Sequence, residues 1–147
     1  MGVKTSLIRP ETMTLAQQIE YARNATVVVS PCGGISFLTA FMAPSTTRII
    51  IDYFDVTLNH TGKMESFIWQ YDYSVKTFHY PIDIEEVRLP DKYINGGENA
   101  WLIYRNYGQV NVSVSKLQPL VEQGLIYAEN NLRFEKAMKI LRREHEY

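Results

Sequence analysis

The sequence predicts an α/β fold with at least part of its sheet parallel, and three observations predict it. Thr26-Val27-Val28-Val29 runs β-branched without interruption into Ser30, the pattern of a strand covered on both faces. A second such run, through Arg48-Ile49-Ile50-Ile51 at about 47 to 51, closes on Asp52. Between them residues 35–43 are mostly apolar, follow Gly33-Gly34 and stop at Pro44, which reads as a short helix. Strand, helix, strand requires a crossover, and a crossover makes neighbouring strands parallel.

Taken in order, the first element begins after Pro10. Thr12 or Thr14 can cap a helix through LAQQIEYARNA, where Leu15, Ile19 and Ala22 share one face. The strand at 26–30 follows, then a turn over Pro31 to Gly34, the helix from Ile35 and the second strand. Residues 55 to 100 are less regular: FIWQYDYSVKTFHY suits either a strand or a short helix, and IDIEEVRLPDKYINGGEN an extended piece and a loop. A further strand is expected around Trp101 to Tyr104, with Val110, Val112 and Val114 alternating after it. Ser113 or Ser115 can cap KLQPLVEQGLIYAENN, where Pro119 falls near the first turn. Residues 131–147 continue as a terminal helix whose basic KILRRE end reads as a solvated face.

At 147 residues the chain fits one domain with a real core. A formal charge of −1 gives no electrostatic argument for nucleic acid or an anionic membrane, and no apolar run approaches the roughly 18 residues that cross a bilayer. A single cysteine, Cys32, excludes an internal disulfide and a cysteine-based zinc site. The N-terminal stretch carries no hydrophobic leader core, although Gly2 and Ser6 fit the loose myristoylation pattern. Three glycosylation sequons, at Asn24, Asn59 and Asn111, hint at a lumenal location. Ten tyrosines and two tryptophans suit a sugar- or nucleotide-contacting surface and equally a tyrosine-rich core.

The chemistry concentrates at the turn Ser30-Pro31-Cys32-Gly33-Gly34-Ile35-Ser36. Where a strand hands over to a helix, unpaired amides point outward and the helix dipole adds positive character. Gly33 and Gly34 remove the Cβ atoms that would hold an anion away from the backbone, and Ser30 and Ser36 offer hydroxyls on either side. A phosphate or diphosphate fits such a turn; tight strand–helix packing explains two glycines as well. Asp52, on the same strand edge, could accept from a ribose or merely cap a turn. Cys32 has no histidine nearby in sequence to activate it as a nucleophile, since His60, His79 and His145 are scattered. Asp83, Glu85 and Glu86 could offer a carboxylate base, with nothing to select one. Arg48 and Lys63 are candidate phosphate partners or plain surface charges.

Residues 8 to 54 resemble the C-terminal region of glycosyltransferase family 61, the group of the plant xylosyl- and arabinosyltransferases and the EGF-domain O-GlcNAc transferase. Pro10, Glu11, Leu15 and Gln18 match that family's "PE…L..Q" helix. The segment Ser30 to Ser36 stands where the family writes Ser/Gly-x-His-Gly-Ala-Gly-Leu, and Phe41, Met42, Ala43 and Pro44 match the helix exit. Two departures are plain: the family's histidine is Cys32 here, and its Gly-Ala-Gly triplet is Gly33-Gly34-Ile35. A cysteine keeps the backbone cradle but lacks the cationic or hydrogen-bonding side chain.

The resemblance implies a Rossmann-like domain over 1–147, with its motif-bearing core at 8–54, equivalent to the donor-binding half of a two-domain GT-B enzyme. It implies inverting transfer from a nucleotide-sugar, a UDP-sugar, to a glycan or protein hydroxyl. Ser30, Cys32, Gly33, Gly34, Ile35, Ser36 and Asp52 would then bind the donor, and a carboxylate or histidine elsewhere would deprotonate the acceptor. No cofactor or metal is implied, in keeping with the lack of an Asp-x-Asp motif. The acceptor-contacting first half would lie outside these residues, exposing a flank prone to self-association, and a Golgi or ER lumenal setting would follow. A non-catalytic Rossmann-like module that binds a nucleotide or a protein is the alternative.

Overall fold

The computed structural model describes residues 3–55, 60–62, 74–88 and 108–144. The strand expected at Trp101 to Tyr104, together with Gly2, Lys63, the Asn59 sequon and His145, lies outside them. A 3₁₀ turn at Pro10–Thr12 leads into α1 (Leu15–Asn24), β1 (Val27–Pro31), a 3₁₀ helix at Gly34–Phe41 and β2 (Thr47–Ile51). The hairpin β3 (Tyr53–Asp55) and β4 (His60–Gly62) follows, then β5 (Lys76–Tyr80) and a 3₁₀ turn at Ile84–Glu86. A short antiparallel pair, β6 (Val87–Arg88) with β7 (Gln109–Val110), precedes the long helix α2 (Val114–Glu144).

The main sheet has the order β1-β2-β5 with both pairings parallel. Together with helices on both faces, this is a mixed α/β arrangement compatible with a Rossmann-like fold. The third parallel strand comes from the stretch whose sequence suited either a strand or a short helix.

Thr14, rather than Thr12, caps α1: its hydroxyl accepts from the Gln17 amide while the Gln17 side chain accepts from the Thr14 amide, a reciprocal capping box. The Gln18 carboxamide donates to the carbonyls of Pro10 (2.9 Å) and Met13 (3.1 Å), pinning the preceding turn onto the helix. Only the far end of α1 reaches the core. Ala22 is buried with Met42 and Val75, whereas Leu15, expected on the inner face, is exposed.

The helix expected over 35–43 is a 3₁₀ helix over Gly34–Phe41. Its small hydroxyl residues explain the tighter winding. Ser36 Oγ donates to the Gly33 carbonyl (2.8 Å) and Thr39 Oγ1 to the Ser36 carbonyl (2.6 Å), each reinforcing an i to i−3 pattern.

The two sheet faces are covered differently. On one, Ile49 and Tyr80 pack with Phe54 and Ile82, against Leu117, Leu120 and Val121 of α2. On the other, Val28 packs with Met42, Ala22 and Val75. Arg48 is fully buried, its Nε donating to Thr77 Oγ1 (2.9 Å), so it is neither a surface charge nor exposed to a phosphate. Pro119 sits inside α2 rather than in its first turn.

Candidate functional site

In this sheet β1, β2 and β5 end side by side, with Pro31, Ile51 and Tyr80 in lateral register. The carboxyl edge of the sheet is therefore one continuous rim. As the chain leaves β1, the Cys32 amide donates to the Ile51 carbonyl (2.9 Å), prolonging the ladder by one bond. Gly33 then takes φ 107° and ψ −164°, a conformation that is essentially glycine's alone. The Ser36 amide returns to the Gly33 carbonyl (3.0 Å) and closes the first 3₁₀ turn. The amides of Gly34 and Ile35 consequently have no acceptor within the helix.

A Cβ built at Gly33 or at Gly34 meets no atom of the described residues within 4 Å, so no described side chain packs on either glycine. Tight packing therefore does not explain the pair. A conformational requirement explains Gly33, and Gly34 has no steric requirement of its own in the folded chain. Gly33→Ala is thus expected to destabilise the protein by about 1–3 kcal/mol through backbone strain alone. Gly34→Ala should stay within about 0.5 kcal/mol of wild type, as for a surface change. Denaturant midpoints of the two variants check the difference.

The flanking serines are turned inward. Ser30 Oγ donates to the Pro31 carbonyl (3.0 Å) and Ser36 Oγ to the Gly33 carbonyl, and both residues are buried. Cys32 is half-buried and in no disulfide.

Asp52 follows β2 directly, where its amide donates to the Tyr80 carbonyl (3.1 Å). Its side chain is inaccessible, with Oδ1 2.9 Å from Nδ1 of His79. The other carboxylate oxygen, Oδ2, is buried without a hydrogen-bond partner among the described residues. His79, the next-to-last residue of β5, keeps a fifth of its side chain exposed (21%). Sequence spacing did not select this histidine, because a pairing between positions 52 and 79 exists only once β2 and β5 are in register.

Among the described residues no three histidine, cysteine, aspartate or glutamate side chains gather as they would around a metal ion. No described helix is long and apolar enough to cross a membrane.

The family model described as Glycosyltransferase 61 matches residues 1–50, about a third of the chain. The match takes in α1, β1, the glycine turn and most of β2, stopping just short of Asp52. It supports a relationship to that family over this stretch and a glycosyltransferase-like function. No curated protein and no solved structure matches the chain.

Proposed function

We propose that this chain is the nucleotide-sugar-binding domain of a glycosyltransferase acting on a glycan or protein hydroxyl, with the donor diphosphate seated on the Gly33–Gly34 turn. One observation carries the reading: at the carboxyl rim of a parallel sheet, two adjacent glycines face space that no described residue fills. In open α/β sheets ligands bind at that rim. The family match covers the same turn.

Each residue then has a distinct role. The amides of Gly34 and Ile35 donate to phosphoryl oxygens, and the missing side chains of Gly33 and Gly34 let the phosphates approach. Ser30 and Ser36, their hydroxyl hydrogens engaged by backbone carbonyls, hold the turn in shape. Cys32 anchors the turn to β2 through its amide. As the sugar departs in an inverting displacement, negative charge grows on the diphosphate, and fixed amide donors stabilise it without reorganising.

Calorimetric titration with UDP tests this. Gly34→Val places a branched side chain where a Cβ meets nothing of the described residues, so the fold persists while the cradle is filled. UDP affinity is expected to fall at least tenfold. Undiminished binding by a folded Gly34→Val protein, or failure of wild type to bind UDP at all, rules the site out.

A further inference from the structure

We propose that His79, oriented by Asp52, donates from Nε2 to a phosphoryl oxygen of the same nucleoside diphosphate. This rests on the donor-site reading above and adds to it a side chain beyond the stretch that the family model matches.

The Asp52 carboxylate is the starting point. A buried charge is costly unless it is paired, and among the described residues this one has a single partner, Nδ1 of His79, with Oδ2 left over. An acceptor-only carboxylate requires a proton on Nδ1. In the doubly protonated ring Nε2 is a second donor.

Position comes next. Ser30, Ile50 and His79 are lateral neighbours in the parallel register, so they project to one face of the sheet. Val28 shares that face two residues earlier on β1, and Met42 covers it there. The 3₁₀ helix that leads to Met42 begins at the glycine turn, so turn and histidine share a face as well as a rim. Adjacent strands lie about 4.8 Å apart, so the backbones of Ser30 and His79 stand roughly 10 Å apart across the central strand. The bond to Asp52 draws the imidazole toward β2 and so toward the turn. Asp52 takes the Nδ1 side of the ring and is itself inaccessible, while a fifth of the His79 side chain (21%) is exposed. A diphosphate on the Gly34 and Ile35 amides would therefore have the His79 imidazole on its far side.

The other described charged groups on this face are committed elsewhere. Arg48 holds Thr77 and the Val75 carbonyl toward the opposite end of the strands. The helix Gly34–Phe41 contains no titratable residue, and Glu20 and Arg23 of α1 line an outer groove with Ala43. Asp52 is accordingly a positioning residue rather than a ligand contact: its inaccessible oxygens reach the donor only through the histidine.

The test uses the full chain, UDP and three variants. Asparagine at position 79 retains an amide near the place of Nδ1, whereas glutamine retains one near Nε2. His79→Asn is expected to lose at least tenfold in UDP affinity, and His79→Gln to recover most of it. Asp52→Asn should weaken binding. In nitrogen-15 spectra of the wild-type imidazoles, added UDP should move the Nε2 resonance of His79, assigned by its loss in the glutamine variant. Wild-type affinity in His79→Asn, or an Nε2 resonance indifferent to UDP, overturns the proposal. If Gly34→Val abolishes UDP binding while His79→Asn does not, the donor site stands and only the histidine's role falls. If neither variant affects binding, or wild type binds no UDP, both fall.

Discussion

Replacing Glu86 with glutamine is expected to lower stability at neutral pH by about 2–3 kcal/mol and to flatten the loss of stability that Glu86 itself causes between about pH 5 and pH 2. Glu86 sits where the end of β5, the following 3₁₀ turn and the start of α2 converge. Burial pushes its pKa up, but the donors around it more than reverse that. They are the Asp83 amide (2.9 Å), Lys116 Nζ (2.6 Å), the Tyr80 hydroxyl and the Ser113 amide (3.2 Å), and together they lower the pKa from 4.5 to about 2. A pKa lower in the folded than in the unfolded chain contributes stability above the unfolded value. That contribution disappears as pH falls through the folded one. A tenfold difference in proton affinity between the two states is worth about 1.4 kcal/mol, which sets the scale of the loss.

The cluster weakens at the other end of the scale too. Burial opposes the charge on Lys116, yet its bonds to Glu86 and Asp83 raise its pKa; burial and the Glu86 bond raise that of Tyr80. Groups with raised pKa values stabilise the fold below their unfolded values and cease to do so as pH climbs through the folded ones. Stability should therefore form a plateau with an acid limb that Glu86→Gln flattens and an alkaline limb that Lys116→Met flattens. Urea midpoints measured from about pH 2 to about pH 12 check both limbs. An acid limb unchanged in the glutamine variant would place the acid sensitivity elsewhere.

What the sequence reveals follows from how local each feature is. β1, β2 and the turn between them are readable because a β-branched run, a glycine pair and a terminating proline each act within a few residues. β5 is not, since KTFHY lacks an apolar run and becomes a strand only by pairing with the exposed backbone of β2. The Asp52–His79 contact is invisible for the same reason: register decides it, and register is a property of two strands. Arg48 misleads by its type. An arginine in a β-branched run is usually at the surface. Here Arg48 is fully buried, with Thr77, directly opposite on β5, accepting from Nε and the Val75 carbonyl from Nη2. The winding of the helix after the glycines escapes a sequence reading because apolar content alone does not separate 3₁₀ from α. The side chains of Ser36 and Thr39 do that.

Gly124→Val is expected to cost about 3 kcal/mol and lower Tm by about 10 °C, a larger effect than valine's helix propensity predicts. Valine in place of glycine in a helix is ordinarily neutral or mildly favourable. At this position, however, α2 crosses the sheet with its backbone against β1 and β2. A Cβ on Gly124 would stand 2.9 Å from Thr47 Cγ2 and 3.3 Å from Val27 Cγ2. Both neighbours are β-branched strand residues with one stiff side-chain torsion, so neither can swing aside. Thr47 is also fully buried, and its hydroxyl donates to the Gly124 carbonyl (3.1 Å), tying helix to strand at the point of closest approach. Adding a branched side chain must therefore push α2 outward, stretching that bond and loosening Leu120 and Val121 from the core they share with Ile49 and Tyr80. Gly124→Ala should show a smaller version of the same loss, with helix propensity offsetting part of it. Pairing Gly124→Val with Thr47→Ala separates the two contributions. The smaller strand residue makes room, so the double variant should be more stable than the sum of the single losses implies. Strict additivity would mean that the helix does not rest on Thr47.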